Sequence, residues 1–451
     1  MTTDIRARIE ASPMRAGQWT VVVLCTLLNA VDGFDVLAMA FTSARVSKDF
    51  GLNGSQLGLL LSAGLVGMAL GSLLIGPIAD RTGRRPMLLV SVGTSAAGML
   101  LSATAVGAVP LGLWRVVTGL GVGGILACTN VLVSEFSSKR SRSLAISIVT
   151  AGYGVGATLG GGAAVWLQAQ FGWHSVFLGG GLVTLVLLAL TFGFAPESVD
   201  FLVTRRPRGH EAKLERLARR LRLADGAVAE ESPTTTPLAS GAPPRNPLVR
   251  LFDVANRRTT LVVWLAFFAV MFGFYFVNSW TPKLLVTAGM TESQGVVGGL
   301  TLTLGGTVGS VLFGAFAARW ASRSVMIWFT VLGALATAVF ISAAGILALA
   351  FSVGVVLGAL INGCIAGLYV ITPSVYPTAI RSTGVGWGIG IGRAGAILAP
   401  TATGALLDAG WTPAGLYLGV GVVVLVAAAA VFFLPRPAPA PAGDEPALTA
   451  H

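Results

Sequence analysis

The stretch LVVWLAFFAVMFGFYFVNSWT, residues 261–281, runs without a single charge, and TPAGLYLGVGVVVLVAAAAVFFL, 412–434, repeats the pattern near the C-terminus. Each reaches the ~20 apolar residues that a helix needs to cross the ~30 Å hydrocarbon core of a bilayer. The rest of the chain agrees. Of 451 residues, 54% are hydrophobic and 11% charged, where soluble domains carry roughly 25% charged residues. An ordinary soluble enzyme is excluded. Lys and Arg number 30 against 19 Asp and Glu, an excess of +11. In a soluble domain that excess would point to nucleic acid; in a chain of apolar spans it points to topology instead, and the expected surroundings are a lipid bilayer, with no nucleic acid partner.

Twelve apolar stretches bounded by charge clusters predict helices near 19–44, 56–79, 86–107, 110–134, 143–168, 174–194, 260–281, 294–317, 325–345, 347–371, 382–407 and 412–434. The predicted fold is therefore an all-α membrane protein with twelve transmembrane helices in two six-helix bundles, 19–194 and 260–434. A tail, 1–18, precedes them, a central loop, 195–259, separates them, and a Pro/Ala-rich tail of disordered composition, 435–451, follows. Orientation comes from the basic residues. With both termini cytoplasmic, that side receives 25 of the 30, while the outer loops hold only Arg45, Lys48 and Lys283. Arg115 and Arg393 fall inside spans.

The first apolar segment is longer than a signal-peptide core and more spans follow it, so it is expected to stay in the protein. Cys25, Cys128 and Cys364 lie within spans and form neither a metal pair nor a disulfide framework. No metal and no cofactor are expected. In the central loop, Leu214, Leu217 and Leu221 recur at helical spacing in the basic segment Glu211–Leu223. This predicts an amphipathic cytoplasmic helix, either docked on anionic headgroups or a plain linker helix.

Two stretches fit GxGxxG: Gly119, Gly121, Gly124 and Gly390, Gly392, Gly395. Neither follows a strand, which excludes a nucleotide site. Small residues in spans, including Gly152, Gly154, Gly156 and Gly160, instead let helices approach closely. The informative residues are the charges at membrane depth, each costing at least ~2.5–3.5 kcal/mol there and by default marking a pathway. Asp32 and Asp35, with Asn29 three residues earlier, make one polar stripe on the first helix. By helical rise Asp32 and Asp35 lie ~20–24 Å from the cytoplasmic face and Arg115 ~23 Å, so they share a level. Arg393 sits ~16 Å deep, too far from either interface to snorkel easily. A guanidinium there needs an anion: Asp32 or Asp35 across the halves, or a substrate carboxylate gripped bidentately. Phe34, Tyr153, Tyr275, Trp280, Tyr369 and Trp387 are candidates to sandwich an aromatic ring.

The loop Gly76-Pro-Ile-Ala-Asp80-Arg81-Thr-Gly83-Arg84-Arg85-Pro86 combines an acid, a turn glycine and paired arginines. It suits a breakable ion-pair latch at the cytoplasmic gate, with Glu135 and Arg142, which flank the next cytoplasmic loop, as candidate partners and Arg381 assigned to the same gate. GPIADRTGRRPM resembles the signature loop of the major facilitator superfamily. Its decayed echo at Gly314–Arg323 lacks the Asp, which supports two parallel repeats. DGFD (32–35), RVVTGLGVGG (115–124), FGWHSVF (171–177), PES (196–198) and YPTAIRSTGVGWGIGIGRAGAILAP (376–400) together resemble the aromatic acid:proton symporters of that superfamily.

The resemblance implies import of an aromatic carboxylate of the benzoate or 4-hydroxybenzoate type, driven by protons, across a bacterial plasma (inner) membrane. It also implies that the aspartates of the first helix and the arginines at 115 and 393 matter for transport. Residue chemistry leads the same way. Desolvation favours a neutral carboxylic acid and a nearby guanidinium favours the anion, so Asp32 and Asp35 can load and release a proton as an arginine changes partner. The partners expected are a small aromatic acid and protons, the working unit a monomer, and no enzyme activity. A proton-coupled exporter of drugs or metabolites, or a symporter of another organic anion, keeps the same fold. A membrane hydrolase would need His, Ser or metal clusters at depth, and His174, His210 and His451 lie in loops or the tail.

Overall fold

A computed structural model describes residues 4–207, 209–221, 247–343, 346–377 and 380–434. The tail from 435, much of the central loop and the first three residues lie outside the described residues. Among the described residues every regular element is a helix. A short α1 (Asp4–Ala11) precedes six long helices: α2 (Ala16–Asp49), α3 (Gly54–Thr82), α4 (Arg84–Ser102), α5 (Ala108–Phe136), α6 (Arg142–Phe171) and α7 (His174–Phe194). Three short ones follow, α8 (Val199–Arg205), α9 (His210–Arg220) and α10 (Pro247–Arg250). Six more long helices complete the chain: α11 (Arg257–Thr287), α12 (Glu292–Ala317), α13 (Ser322–Ser342), α14 (Leu347–Val375), α15 (Arg381–Asp408) and α16 (Pro413–Phe432).

Each of the twelve predicted spans is met by one long helix. Ten are long and apolar enough to cross a membrane. The other two, α4 and α15, have the length but are diluted by polar residues: α4 opens on Arg84 and Arg85, and α15 carries Arg393 among glycines and threonines. Side chains on the outside stay apolar, among them Leu73, Leu159, Phe192, Val311, Trp328 and Val422. A surface apolar all round suits lipid rather than water.

Helix ends follow local chemistry. Asn53 opens α3 and Thr291 opens α12 with capping boxes, each side chain accepting from the amide three residues on (Gln56 and Gln294). Thr412 caps α16, with Pro413 at its first turn. Gly83 separates α3 from α4 at φ +107°, a conformation that disfavours any side chain.

Packing repeats between the halves. In the first, α3 lies along α5, α2 along α6 and α4 along α7; in the second, α12 lies along α14, α11 along α15 and α13 along α16. This is the two-repeat pattern the sequence echo implied. The small residues serve the close approach expected of them: a Cβ on Gly121 would strike the Ser95 amide and the Ser91 carbonyl of α4, and one on Gly156 would collide with the Ala30 carbonyl of α2.

We call the end where α2 begins and α16 finishes basal, and the other distal. One buried cluster fuses the halves distally, with Phe41, Leu57 and Trp173 from the first and Trp280, Leu285 and Tyr417 from the second. Basally the core divides. One cluster holds Val22, Leu132 and Phe136, and another holds Phe267, Phe329 and Val431. The protein is thus sealed at its distal end. Leu214, Leu217 and Leu221 of the α9 segment are buried in the first basal cluster, so the apolar stripe read from the sequence packs on the protein rather than on headgroups.

Candidate transport site

Asp35 and Arg115 meet in the first half, both about 2% exposed. Arg115 Nη1 donates to Asp35 Oδ1 at 2.6 Å, and Nη2 donates to Oδ2 at 3.2 Å and to the Asp35 carbonyl at 2.9 Å. Its guanidinium also lies over the Phe177 ring, 5.6 Å from the centroid. This bidentate fork locks α2 to α5. The shared depth expected for the two groups holds, and the guanidinium points inward instead of snorkelling.

Asp32, one turn earlier, is 3% exposed, and its Oδ1 has no hydrogen-bond partner. A buried carboxylate oxygen left unpaired is costly and calls for an explanation. Across the interface Arg393 of α15 makes no ion pair among the described residues; its Nη1 contacts the Met68 sulfur at 2.8 Å. Asp32 and Arg393 lie within electrostatic reach of each other and of Tyr153 and Tyr275. Tyr369 also senses Arg393. An acid from the first half, a guanidinium from the second and three tyrosines from α6, α11 and α14 therefore gather between the halves.

A cavity of about 510 Å³ adjoins this cluster, walled by Tyr153, Leu37, Phe274, Asn278, Thr307 and Asn362 among others. No charged side chain lines it. Asn278, Thr303, Thr307 and Asn362 escaped the sequence reading because a lone amide or hydroxyl in an apolar helix gives no signal until its helix face is known.

Other expected residues are placed elsewhere. Asn29 donates to the Val149 carbonyl at 2.6 Å and joins α2 to α6. Phe34 packs against Gly160 and Gly180 in an apolar groove of α2, α6 and α7, away from the central cavity. Trp280 is fully buried in the distal seal and donates to the Pro400 carbonyl at 3.1 Å. Trp387 stacks on Trp264, with centroids 5.9 Å apart, and stays partly exposed.

At the basal end Arg84 donates to Asp80 at 2.7 Å and stands 3.9 Å from Glu135. Glu135 accepts from the Ser198 hydroxyl and the Val199 amide, both at 2.9 Å. Glu197, unnoticed in the PES motif, accepts from the amides of Arg84 and Arg85 at 2.7 and 3.1 Å and so caps α4. Arg85 donates to the Phe192 carbonyl. Arg142 pairs with Glu10 at 2.6 Å instead of with the 76–86 loop. Arg81 and Arg381 are exposed, and neither forms an ion pair among the described residues.

The distal seal has its own polar contacts. Asp408 accepts from the amides of Gly54 and Ser55 and from the Ser55 hydroxyl, at 2.6, 2.8 and 2.6 Å, bridging α15 to α3. Arg45 pairs with Glu292 at 3.2 Å.

Residues 22–352 match the family model of the Major Facilitator Superfamily. The chain belongs to that superfamily and is a multi-pass membrane transporter. It is 36% identical over 414 residues to a gallate transporter of Pseudomonas putida, covering 90% of this chain and 89% of that one. It is 34% identical over 409 residues to the 4-hydroxybenzoate transporter PcaK of Pseudomonas aeruginosa, covering 90% of each. Among solved structures, the inward-open xylose transporter XylE of E. coli superposes with a TM-score of 0.73 at 16% identity, over 93% of this chain and 97% of that chain.

Proposed function

We propose that the protein imports an aromatic carboxylate together with protons by alternating access between its two halves. The observation that carries this reading is the unpartnered Asp32 oxygen within electrostatic reach of an Arg393 that makes no ion pair among the described residues, one from each half. Relatives named for gallate and 4-hydroxybenzoate support the substrate class. The positive-inside count makes the basal end cytoplasmic, with α4 and α15 completing twelve spans and the bundles dividing at 19–194 and 260–434. The structure is then that of the inward-open state of a monomeric carrier in a bacterial inner membrane.

Import of an anion against a negative interior is opposed by ~2.3 kcal/mol per 100 mV, and a proton carried with it removes that term. With the distal end open, Asp32 takes a proton and leaves Arg393 free to grip the substrate carboxylate. The neutralised centre lets the halves close distally and part basally, where Asp32 gives up its proton and the acid leaves. Asp35 and Arg115 stay paired through the cycle and hold α2 rigid beside the titrating residue. Asp80, Arg84 and Glu135 brace the basal end of the first half, their contacts made while that end is open.

Uptake by purified protein in proteoliposomes under an inside-alkaline gradient tests the reading, with labelled benzoate, 4-hydroxybenzoate, protocatechuate and gentisate. Uphill accumulation of an aromatic acid, abolished by a protonophore, is expected. Proton-driven movement of another solute with no aromatic acid accumulated would retain the fold and overturn the function.

A further inference from the structure

We propose that Asn278, Asn362 and Thr307 form an acceptor wall that reads phenolic hydroxyls, so that the carrier selects ring-hydroxylated acids over unsubstituted benzoate. This rests on the reading of the protein as an aromatic-carboxylate carrier and adds the residues that set its specificity.

The argument is one of donors and acceptors. An asparagine amide has two N–H donors and one oxygen acceptor. Asn278 donates Nδ2 to the Phe274 carbonyl of its own helix at 2.9 Å, and Asn362 donates Nδ2 to the Gly358 carbonyl at 3.3 Å. Neither Oδ1 receives a protein donor among the described residues. Thr307 likewise donates to the Thr303 carbonyl at 3.3 Å, leaving its lone pairs open. All three line the same cavity. Each side chain thus keeps an oxygen acceptor open, and each asparagine one further N–H, with no charged side chain beside them.

Such a wall suits only part of the substrate. A phenol O–H is a donor and finds open oxygen atoms there; a carboxylate finds neutral donors at most and no cation to match its charge. The carboxylate therefore turns to Arg393, which lies within electrostatic reach of Tyr153 in the cavity wall. Glycines set the spacing. A Cβ on Gly306 would strike the Asn362 amide, and one on Gly154 of α6 would come within 2.5 Å of the Thr307 hydroxyl oxygen. The acceptors thus stand where the first half closes on the second.

The test is competition for uptake in proteoliposomes by benzoate, 4-hydroxybenzoate and 3,4,5-trihydroxybenzoate, in wild type, Asn278→Leu, Asn362→Leu and the near-isosteric Thr307→Val. Wild type is expected to prefer the hydroxylated acids. At least one asparagine variant should lose roughly tenfold in apparent affinity for a hydroxylated acid, the scale of one hydrogen bond, with benzoate changed less than about twofold. Thr307→Val, which preserves shape, guards against a general folding defect and should shift the same ratio. Equal losses for benzoate and hydroxylated acids, or an unchanged ratio in all three variants, would overturn the proposal. Failure of wild type to take up any aromatic acid would instead overturn the transport reading and this inference with it.

Discussion

Replacing Asp35 with Asn removes one charge from a pair that is almost entirely out of solvent. The Arg115 guanidinium keeps its 2.9 Å bond to the Asp35 carbonyl and its place over Phe177, but loses the charged partners at 2.6 and 3.2 Å. Its Nε already lacks a partner, so no spare bond compensates. Breaking a buried pair from one side costs about 3–5 kcal/mol, because the surviving charge is stranded. Asp35→Asn should therefore lower unfolding stability by that amount, measured by SDS titration of the purified protein in mixed micelles. Asp35→Asn combined with Arg115→Gln should recover a large part of the loss, since neither charge is then stranded. Asp32→Asn should behave differently. Its Oδ1 bonds nothing, so the substitution removes a buried charge without breaking a hydrogen bond of that oxygen and costs little. The reasoning is refuted if Asp35→Asn stays within about 1 kcal/mol of wild type, the scale of an exposed pair, or if the double variant is no more stable than the single one.

Asp32→Asn should abolish proton-driven accumulation while leaving counterflow exchange of substrate; undiminished uphill uptake would remove Asp32 from the coupling step. Arg393→Lys replaces a planar fork with a point charge and should raise the half-saturation for an aromatic acid about tenfold, and an unchanged value would make Arg393 structural. Asp408→Ala deletes all three bonds joining α15 to Ser55 and Gly54, so spin labels at Gln56 and Trp411 should report a larger population with the distal end open. An unaltered distance distribution would show that the apolar seal and its remaining polar contacts hold that end shut without Asp408. Gly156→Val should destabilise the protein by about 1–3 kcal/mol or more through its collision with the Ala30 backbone, which the same SDS titration would detect.

Much of this protein was legible without coordinates because the bilayer imposes simple rules. A span must be apolar and about 20 residues long, so composition and charge spacing located all twelve long helices, and the resemblance of the 76–87 loop placed them in a superfamily. Depth also followed from helical rise, which put Asp32, Asp35 and Arg115 at one level before any contact was known. Sequence could not divide the labour between the two aspartates. They sit three residues apart on one stripe, and only the tertiary packing gives Asp35 to Arg115 and leaves an Asp32 oxygen unpaired within electrostatic reach of Arg393. Nor could it sort the aromatic rings: Phe34 and Trp280 pack away from the cavity, while Tyr153 lines it and Tyr275 lies within electrostatic reach of Asp32 and Arg393. Asn278 and Asn362 gave no signal at all. The reason is geometric. A one-dimensional pattern fixes how deep a side chain lies and which face of its own helix it shares. What lies opposite that face depends on how five helices from two halves come together, and in this chain that arrangement decides which buried polar group is paired and which is left open to a substrate.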